Sequence, residues 1–425
     1  MPIPFLASVL MDGWPSWLPG PWTLTKAGSA LGAIAVTKIY ASGATCTAER
    51  NMHGRVVMIT GGTSGIGAAT VYELAKRGAQ IILLTHHEHN DAFLVDFIDD
   101  MRDRTNNQLI YAEQVDLHSL HSVRKFATKW VDNAPPRRLD TIILCGSTLT
   151  PPGKSRTETP DGVESTWQVN FLSNFHLLGI LSPAIRAQPF DRDVRIIIPT
   201  CSAYIRSPSL DKGLDKKDWS PGKAYARSKM AMMVFGKAYQ KHLDAYKRPD
   251  ELPMNARVFL VDPGYSRTPG MRRWLTRGTV WGLIVYLFLY VFSWLFLKSA
   301  RMGAQSILWA VMEGSLVRDK GGKVVKECMV VDCARKDVDD EAIAKKLWES
   351  SDKLIEEKEK DAAAKRARAK KREMEKEEEK KERERVEEIE ALVSTIKKGK
   401  QKEKEKPKSG KKAKNGKKTA WKEVK

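Results

Sequence analysis

Tyr225-Ala-Arg-Ser-Lys229 sets a phenol and an amine four residues apart, a spacing that on a helix puts both side chains on one face. A phenol with a pKa of about 10 is a poor acid–base catalyst at neutral pH, and a neighbouring ammonium that stabilises phenolate brings it towards the useful range. A second constellation lies far upstream: Thr60-Gly61-Gly62-Thr63-Ser64-Gly65-Ile66-Gly67, with the spacing TGxxxGxG. Glycines let such a turn close and let the backbone approach a pyrophosphate, whose charge is met by the amides at a helix N-terminus. The loop follows the β-branched run RVVMI and opens a helical pattern, which is the context that this chemistry requires.

The elements that must position these groups form an alternation. RVVMIT, IILLT, QLIYAEQVD, DTIILC, RIIIPT and ARVFLVD read as strands, apolar throughout as expected of a parallel sheet covered on both faces. IGAATVYELAKRGA, LHSVRKFATKWVD, GVESTWQVNFLSNFHLLGILSPAI and AYARSKMAMMVFGKAYQKHLDAY read as the intervening helices. Strand and helix in turn predict an α/β, Rossmann-type doubly wound parallel sheet with helices on both faces, and ligand chemistry at the carboxyl ends of its strands.

Together the two motifs resemble the short-chain dehydrogenase/reductase family, from about Met52 to Cys333. VNFLSNFHLL, AYARSKMA and DPGYSRT look most like its retinol-dehydrogenase-type branch. The apolar N-terminus, TCSAYIRSP and a hydrophobic insert after the DPG loop are similar to fungal oxidoreductases associated with lipid droplets. The resemblance implies hydride transfer between a nicotinamide cofactor and a carbonyl or hydroxyl carbon. It makes Tyr225 the proton donor, Lys229 the residue that lowers its pKa and holds the ribose, Ser202 the group that polarises the carbonyl, and Asn170 the support of a proton-relay water. It places the cofactor against Gly61, Thr63, Ser64, Gly65, Ile66 and Gly67, the adenine-contacting pair Asp116 and Leu117, Cys145, Tyr225 and Lys229, and Pro263, Gly264 and Thr268 of the DPG loop.

Three departures stand out. Where the family has NNAG after its fourth strand, this chain reads Leu144-Cys145-Gly146-Ser147. The serine position falls on Cys201 when counted without gaps from Arg195 and on Ser202 one residue later; Ser202 is preferred, because a hydroxyl both donates and accepts while a thiol does so weakly. No Asp ends IILLTHH to bind a ribose hydroxyl, and His86 or His87 stands where an Arg meets a 2′-phosphate, so NADP(H) is favoured over NAD(H). Taken singly, each catalytic residue reads as packing or surface; the family order joins them. His86, His87 and His89 lack acidic or cysteine partners at ligand spacing, and no metal is expected.

The 425 residues carry a net charge of +20, with 42% hydrophobic and 29% charged residues, which excludes a wholly disordered chain and a polytopic membrane protein. The expected organisation is an apolar N-terminal membrane-associating segment (1–50), a catalytic domain (51–335) with a hydrophobic insert (279–297), a charged helix (336–394) and a basic disordered tail (395–425). Pro2, Pro4, Asp12 and Pro15 interrupt the N-terminus and no Lys or Arg precedes Lys26, unlike a secretory signal; Trp14, Trp17 and Trp22 suit a membrane interface. The insert holds nineteen residues without a charge between Arg272, Arg273 and Arg277 on one side and Lys298 and Arg301 on the other. With basic residues at both ends, dipping into one leaflet fits better than spanning or core burial. The charged helix has too few a/d apolar positions for a convincing coiled coil. The tail carries fourteen lysines against three glutamates; anionic lipid is its first candidate partner and nucleic acid the second. Five scattered cysteines argue for thiols in a reducing compartment. The sequence thus predicts an oxidoreductase of a lipophilic substrate, of the sterol, retinoid or fatty aldehyde or ketone class, on lipid droplets or endoplasmic reticulum membrane. Its catalytic domain would face the cytosol, with a homo-oligomer left open. The alternative is an inactive scaffold acting as a membrane or nucleic-acid adaptor through its tail.

Overall fold

The computed structural model describes residues 19–211, 213–214, 216–317 and 319–404. Helix α1 (Pro21–Ser42) precedes an alternating series: β1 (Val56–Thr60), α2 (Gly65–Lys76), β2 (Gln80–Thr85), α3 (Ala92–Thr105), β3 (Ile110–Gln114), α4 (Leu120–Val131) and β4 (Thr141–Leu144). A helical turn (Ser165–Trp167) and a π-turn (Gln168–Leu172) lead into α5 (Ser173–Arg186), followed by β5 (Val194–Pro199), α6 (Pro221–Asp244) and β6 (Ala256–Asp262). Then come α7 (Pro269–Leu275), α8 (Val280–Phe288), α9 (Tyr290–Phe296), α10 (Ala300–Met312), β7 (Lys323–Lys326), β8 (Met329–Val331) and α11 (Glu341–Lys404).

The strands lie in the order β3-β2-β1-β4-β5-β6-β7-β8, with neighbours parallel except β7–β8. This is the expected doubly wound sheet. Val, Ile and Leu dominate because both faces are covered: β1 and β4 are buried at every residue. On one face Phe126, Phe175, Phe235 and Tyr239 of α4, α5 and α6 pack over Ile142 and Ile196; on the other, Val71 and Leu74 of α2 and Ile307 and Val311 of α10 cover Ile59 and Ile143. The winding reverses between β1 and β4, whose register pairs Thr60 with Leu144, and there the strand ends open a crevice.

Among the described residues, those up to Lys360 form one compact unit and those from Asp361 a second. In the first, Trp348 near the start of α11 sits 5.4 Å from Phe175 and 5.6 Å from Phe235, ring centre to ring centre, in an aromatic cluster on α5 and α6. The helix continues to Lys404, past the tail boundary expected at Thr395. The N-terminal residues 1–18 and the tail beyond Lys404 lie outside the described residues. The uncharged run 279–297 is broken at Leu289 into α8 and α9, and among the described residues no helix is long and apolar enough to cross a membrane.

Candidate active site

At the end of β1 the chain turns through Gly61, whose φ is +64°. A Cβ there would lie 2.7 Å from the Gly146 Cα, so the β1 loop can touch the β4 loop only because residue 61 is glycine. A Cβ on Gly67 would collide with the Gly61 carbonyl, which presses the first turn of α2 onto the loop. The Thr60 hydroxyl accepts from the Gly146 N–H at 3.0 Å and holds the two strand ends together. Asp91, Ser119, Ser220, Thr268 and Ser299 cap α3, α4, α6, α7 and α10 with side-chain oxygens, whereas Ser64 at the N-cap of α2 makes no side-chain capping bond and is exposed. The uncapped amides of α2, beside a cradle that tolerates no Cβ, fit a dinucleotide pyrophosphate.

Helix α6 brings Tyr225 and Lys229 to the carboxyl end of β5. The Lys229 ammonium donates to the Pro199 carbonyl at 3.2 Å and lies 5.6 Å from the Tyr225 ring centre. Burial pushes the Tyr225 phenol well above its ordinary pKa, with the Cys201 thiol as the next contributor, and burial lowers the Lys229 ammonium. Burial is the largest contribution at the phenol and favours its protonated form.

The two candidates for the serine position face different partners. The Cys201 Sγ lies 3.7 Å from the Tyr225 hydroxyl, while the Ser202 hydroxyl donates to Asp262 Oδ2 at 2.8 Å. Asp262 also accepts from the Gly264 N–H at 2.9 Å, so Ser202 ties the end of β5 to the loop after β6.

Asn170 sits in the π-turn, a local widening of the helix that is common at functional sites. Its Oδ1 accepts from the Thr148 N–H at 2.7 Å, and its Nδ2 donates to the Thr148 carbonyl and to Ser228 Oγ, both at 3.0 Å. Ser228 in turn donates to the Tyr225 carbonyl at 2.8 Å. The Asn170 carboxamide is thus a brace between the β4 loop and the helix that carries Tyr225. Thr148 and Ser228 are partners that sequence reasoning missed; Ser228 lay within the YxxxK motif itself.

The loop after β6 closes the site from the opposite side. Thr268 caps α7 through Met271 N and packs against Gly65, where a Cβ would lie 3.2 Å from the Thr268 methyl. Pro263 is buried and Gly264 has φ +73°. Backbone bonds from Arg267 N to Lys298 O at 2.8 Å and from Lys298 N to Tyr265 O at 3.0 Å pinch the chain shut, so that α7, α8 and α9 form an excursion leaving from and returning to this loop. Lys298 pairs with Glu327, which also accepts from the Ala44 N–H at 2.8 Å just beyond α1. None of the residues of α8 and α9 is buried. Arg267 donates to the Tyr290 hydroxyl at 2.9 Å, and Lys38 of α1 donates to the Trp294 carbonyl at 2.6 Å.

Residues 55–277 match the family model described as short chain dehydrogenase. The chain belongs to the short chain dehydrogenase family. It is 44% identical over 365 residues to an uncharacterized oxidoreductase, pbr1, of Schizosaccharomyces pombe, covering 85% of this chain and 97% of that one. It is 29% identical to human retinol dehydrogenase 13, over 78% of this chain and 94% of the relative, and 30% identical to mouse polyprenol dehydrogenase, over 69% and 82%. As a short chain dehydrogenase the protein is an oxidoreductase of CH–OH or C=O groups that uses a nicotinamide cofactor, and its relatives bear out the retinol-dehydrogenase-like branch.

Asp116, Leu117 and His86 lie just beyond the carboxyl ends of β3 and β2. A Cβ on Gly146 would lie 2.7 Å from the Leu117 side chain, which places Leu117 over the β4 loop. Asp116 accepts from the His118 N–H at 2.9 Å and faces its ring at 3.2 Å, an interaction that lowers the Asp116 pKa and raises that of His118. His86 is exposed at the end of β2, 4.1 Å from the His87 ring, and His87 pairs with Asp91 at 2.7 Å. Cys145 lies beside Lys229, its thiol pushed up to about 12 by burial. All five cysteines are free, and among the described residues no group of three or more His, Cys, Asp or Glu could hold a metal ion.

Proposed function

We propose that the protein is a membrane-associated, NADP(H)-dependent oxidoreductase of a lipophilic alcohol or carbonyl compound. The observation that carries this reading is the excursion of α8 and α9, pinned at its base to the loop that faces Thr63–Gly67 and exposing Trp281, Phe288, Val291 and Phe292. Lys38 ties this surface to α1, which exposes Leu31, Val36, Ile39 and Tyr40. Aromatic and aliphatic residues without a protein partner, edged by Arg272, Arg273, Arg277 and Arg301, suit insertion into the headgroup and upper acyl region of an anionic lipid surface. The retinol and polyprenol dehydrogenases among the relatives fit a lipophilic substrate. Lipid droplet or endoplasmic reticulum membrane is the proposed location, with residues 51–335 as the catalytic domain on the cytosolic side.

Gly61, Ser64, Gly65, Ile66 and Gly67 would hold the pyrophosphate, Asp116 and Leu117 the adenine side, and Pro263, Gly264 and Thr268 the nicotinamide side. When bound, the cofactor supplies or accepts the hydride. NADP(H) is proposed because β2 ends in Thr85-His86-His87, with no carboxylate there to receive ribose hydroxyls. Tyr225, held protonated, delivers its proton to the oxygen that gains charge during reduction, and Lys229 compensates the phenolate left behind. Asn170 fixes α6 so that both groups face the crevice.

The test is turnover of NADPH and NADH with lipophilic ketones and aldehydes presented in vesicles, together with fluorescence titration of each cofactor. Tyr225→Phe is expected to lower turnover by at least about 100-fold while leaving NADPH binding within a few-fold. Wild-type turnover by this variant would overturn the role of Tyr225, and tighter binding of NADH than NADPH would overturn the cofactor assignment.

A further inference from the structure

The reacting oxygen in a site of this kind needs a second hydrogen bond beside that from the phenol, and the chain offers two neighbours for it. Backbone at Cys201 is extended, with φ −163° and ψ 159°, so the side chains of 201 and 202 leave on opposite sides. Ser202 is directed to Asp262, a carboxylate 6% exposed that fixes the hydroxyl proton in its direction. Cys201 is directed to the crevice, partly exposed, with its sulfur 3.7 Å from the Tyr225 hydroxyl. An acceptor oxygen seated against both atoms would occupy the apex of a narrow triangle whose base is that S···O contact.

We propose that Cys201 is a catalytic residue of this protein, donating its S–H to the substrate oxygen that Tyr225 protonates. The inference rests on the reading of Tyr225 as proton donor. No bond to sulfur forms or breaks: the thiol proton stays on sulfur throughout, and the phenol proton alone is transferred. Burial keeps the thiol above its ordinary pKa, so at neutral pH it is the protonated, donating form that faces the crevice. A thiol is a weaker donor than a hydroxyl and a more apolar wall. It therefore contributes less to charge stabilisation than serine would, and lines the site with a surface that suits an aliphatic or polyene substrate.

The experiment compares Cys201→Ala, Cys201→Ser and Ser202→Ala by steady-state kinetics, with Tyr225→Phe alongside and circular dichroism to verify folding. Cys201→Ala should lower kcat about tenfold, less than the loss typical of an oxyanion-hole donor because a thiol donates weakly. Cys201→Ser should match or exceed wild-type kcat, and Ser202→Ala, which releases the loop after β6, should raise the KM for NADPH more than it lowers kcat. Iodoacetamide labelling followed by peptide mass spectrometry gives a readout independent of turnover: NADPH should slow modification of Cys201, and the labelled protein should lose activity. A tenfold loss in Ser202→Ala with wild-type kcat in Cys201→Ala, or full turnover after stoichiometric labelling at Cys201, would overturn the proposal. Active Tyr225→Phe would instead overturn the tyrosine reading, so the two failures are separable.

Discussion

Helices α8 and α9 and the helix that follows them, α10, are neighbours in sequence and opposites in environment. The first two carry the more continuous apolar character, VWGLIVYLF and YVFSWLF, yet bury no residue; Phe288 is 84% exposed. Helix α10 mixes Arg301, Gln305 and small residues with its apolar ones and buries Ala304, Ile307, Leu308, Val311 and Met312 against the sheet. The difference lies in patterning. A helix with one apolar face and one polar face has a place on a sheet, whereas a helix apolar on all sides needs an apolar environment all round. Hydrophobicity alone does not assign a segment to the core.

The largest effect that sharpens this contrast is on stability. Ile307→Ala in α10, at a fully buried site, should cost about 2–5 kcal/mol in denaturant unfolding. Phe288→Ser combined with Phe292→Ser should leave stability within about 0.5 kcal/mol. The same pair should lower partition into anionic vesicles by at least about tenfold, since each phenylalanine contributes about 1.5–3 kcal/mol when withdrawn from water. Vesicle binding unaltered in that double variant would break the comparison, because α8 and α9 would then be exposed for no membrane reason.

The smallest effect sits at the junction of the two regions, the Lys298–Glu327 pair. Burial alone would raise the Glu327 pKa, but Lys298 and the Ala44 N–H bring it below the ordinary value. The contribution of a carboxylate depressed in the folded state is complete above its unfolded pKa of about 4.3 and is lost as pH falls through the depressed folded value. Limited proteolysis within 278–298 should therefore accelerate only below about pH 4 in the wild type. Glu327→Gln should be cleaved faster already at pH 7, with no further dependence from this group; identical profiles for the two proteins would remove the pair from the account.

Much of this architecture was legible beforehand, and what was not has physical reasons. Strands β1 to β6 announced themselves as β-branched runs, because burial on both faces removes polar alternation. Helix α3 escaped notice: Asp96, Asp99, Asp100 and Asp103 mask its periodicity, and of its residues only Leu94 and Met101 are buried. Helix α10 was hidden by the apolar run before it, although Ser299, which caps Met302 N at 3.2 Å, marked the boundary. Strands β7 and β8 are short, and lysines begin and end β7. In the site, glycine spacing and the helical Tyr225–Lys229 interval are local properties that spacing alone displays. The choice between Cys201 and Ser202 is different, since an error of one residue at a strand end reverses which side chain faces the crevice. Nor does spacing disclose that Asn170 reaches Thr148 and Ser228, or that the phenol is buried.

The meeting of Tyr265 and Arg267 with Lys298 has a consequence for how this protein can vary. A segment whose two ends are already bonded together places little demand on its own length, since extending a closed loop adds only about 0.6 kcal/mol of entropy per doubling. Residues 270–297 are therefore a cassette: they can be lengthened, shortened or exchanged while the pinched base preserves the loop beneath.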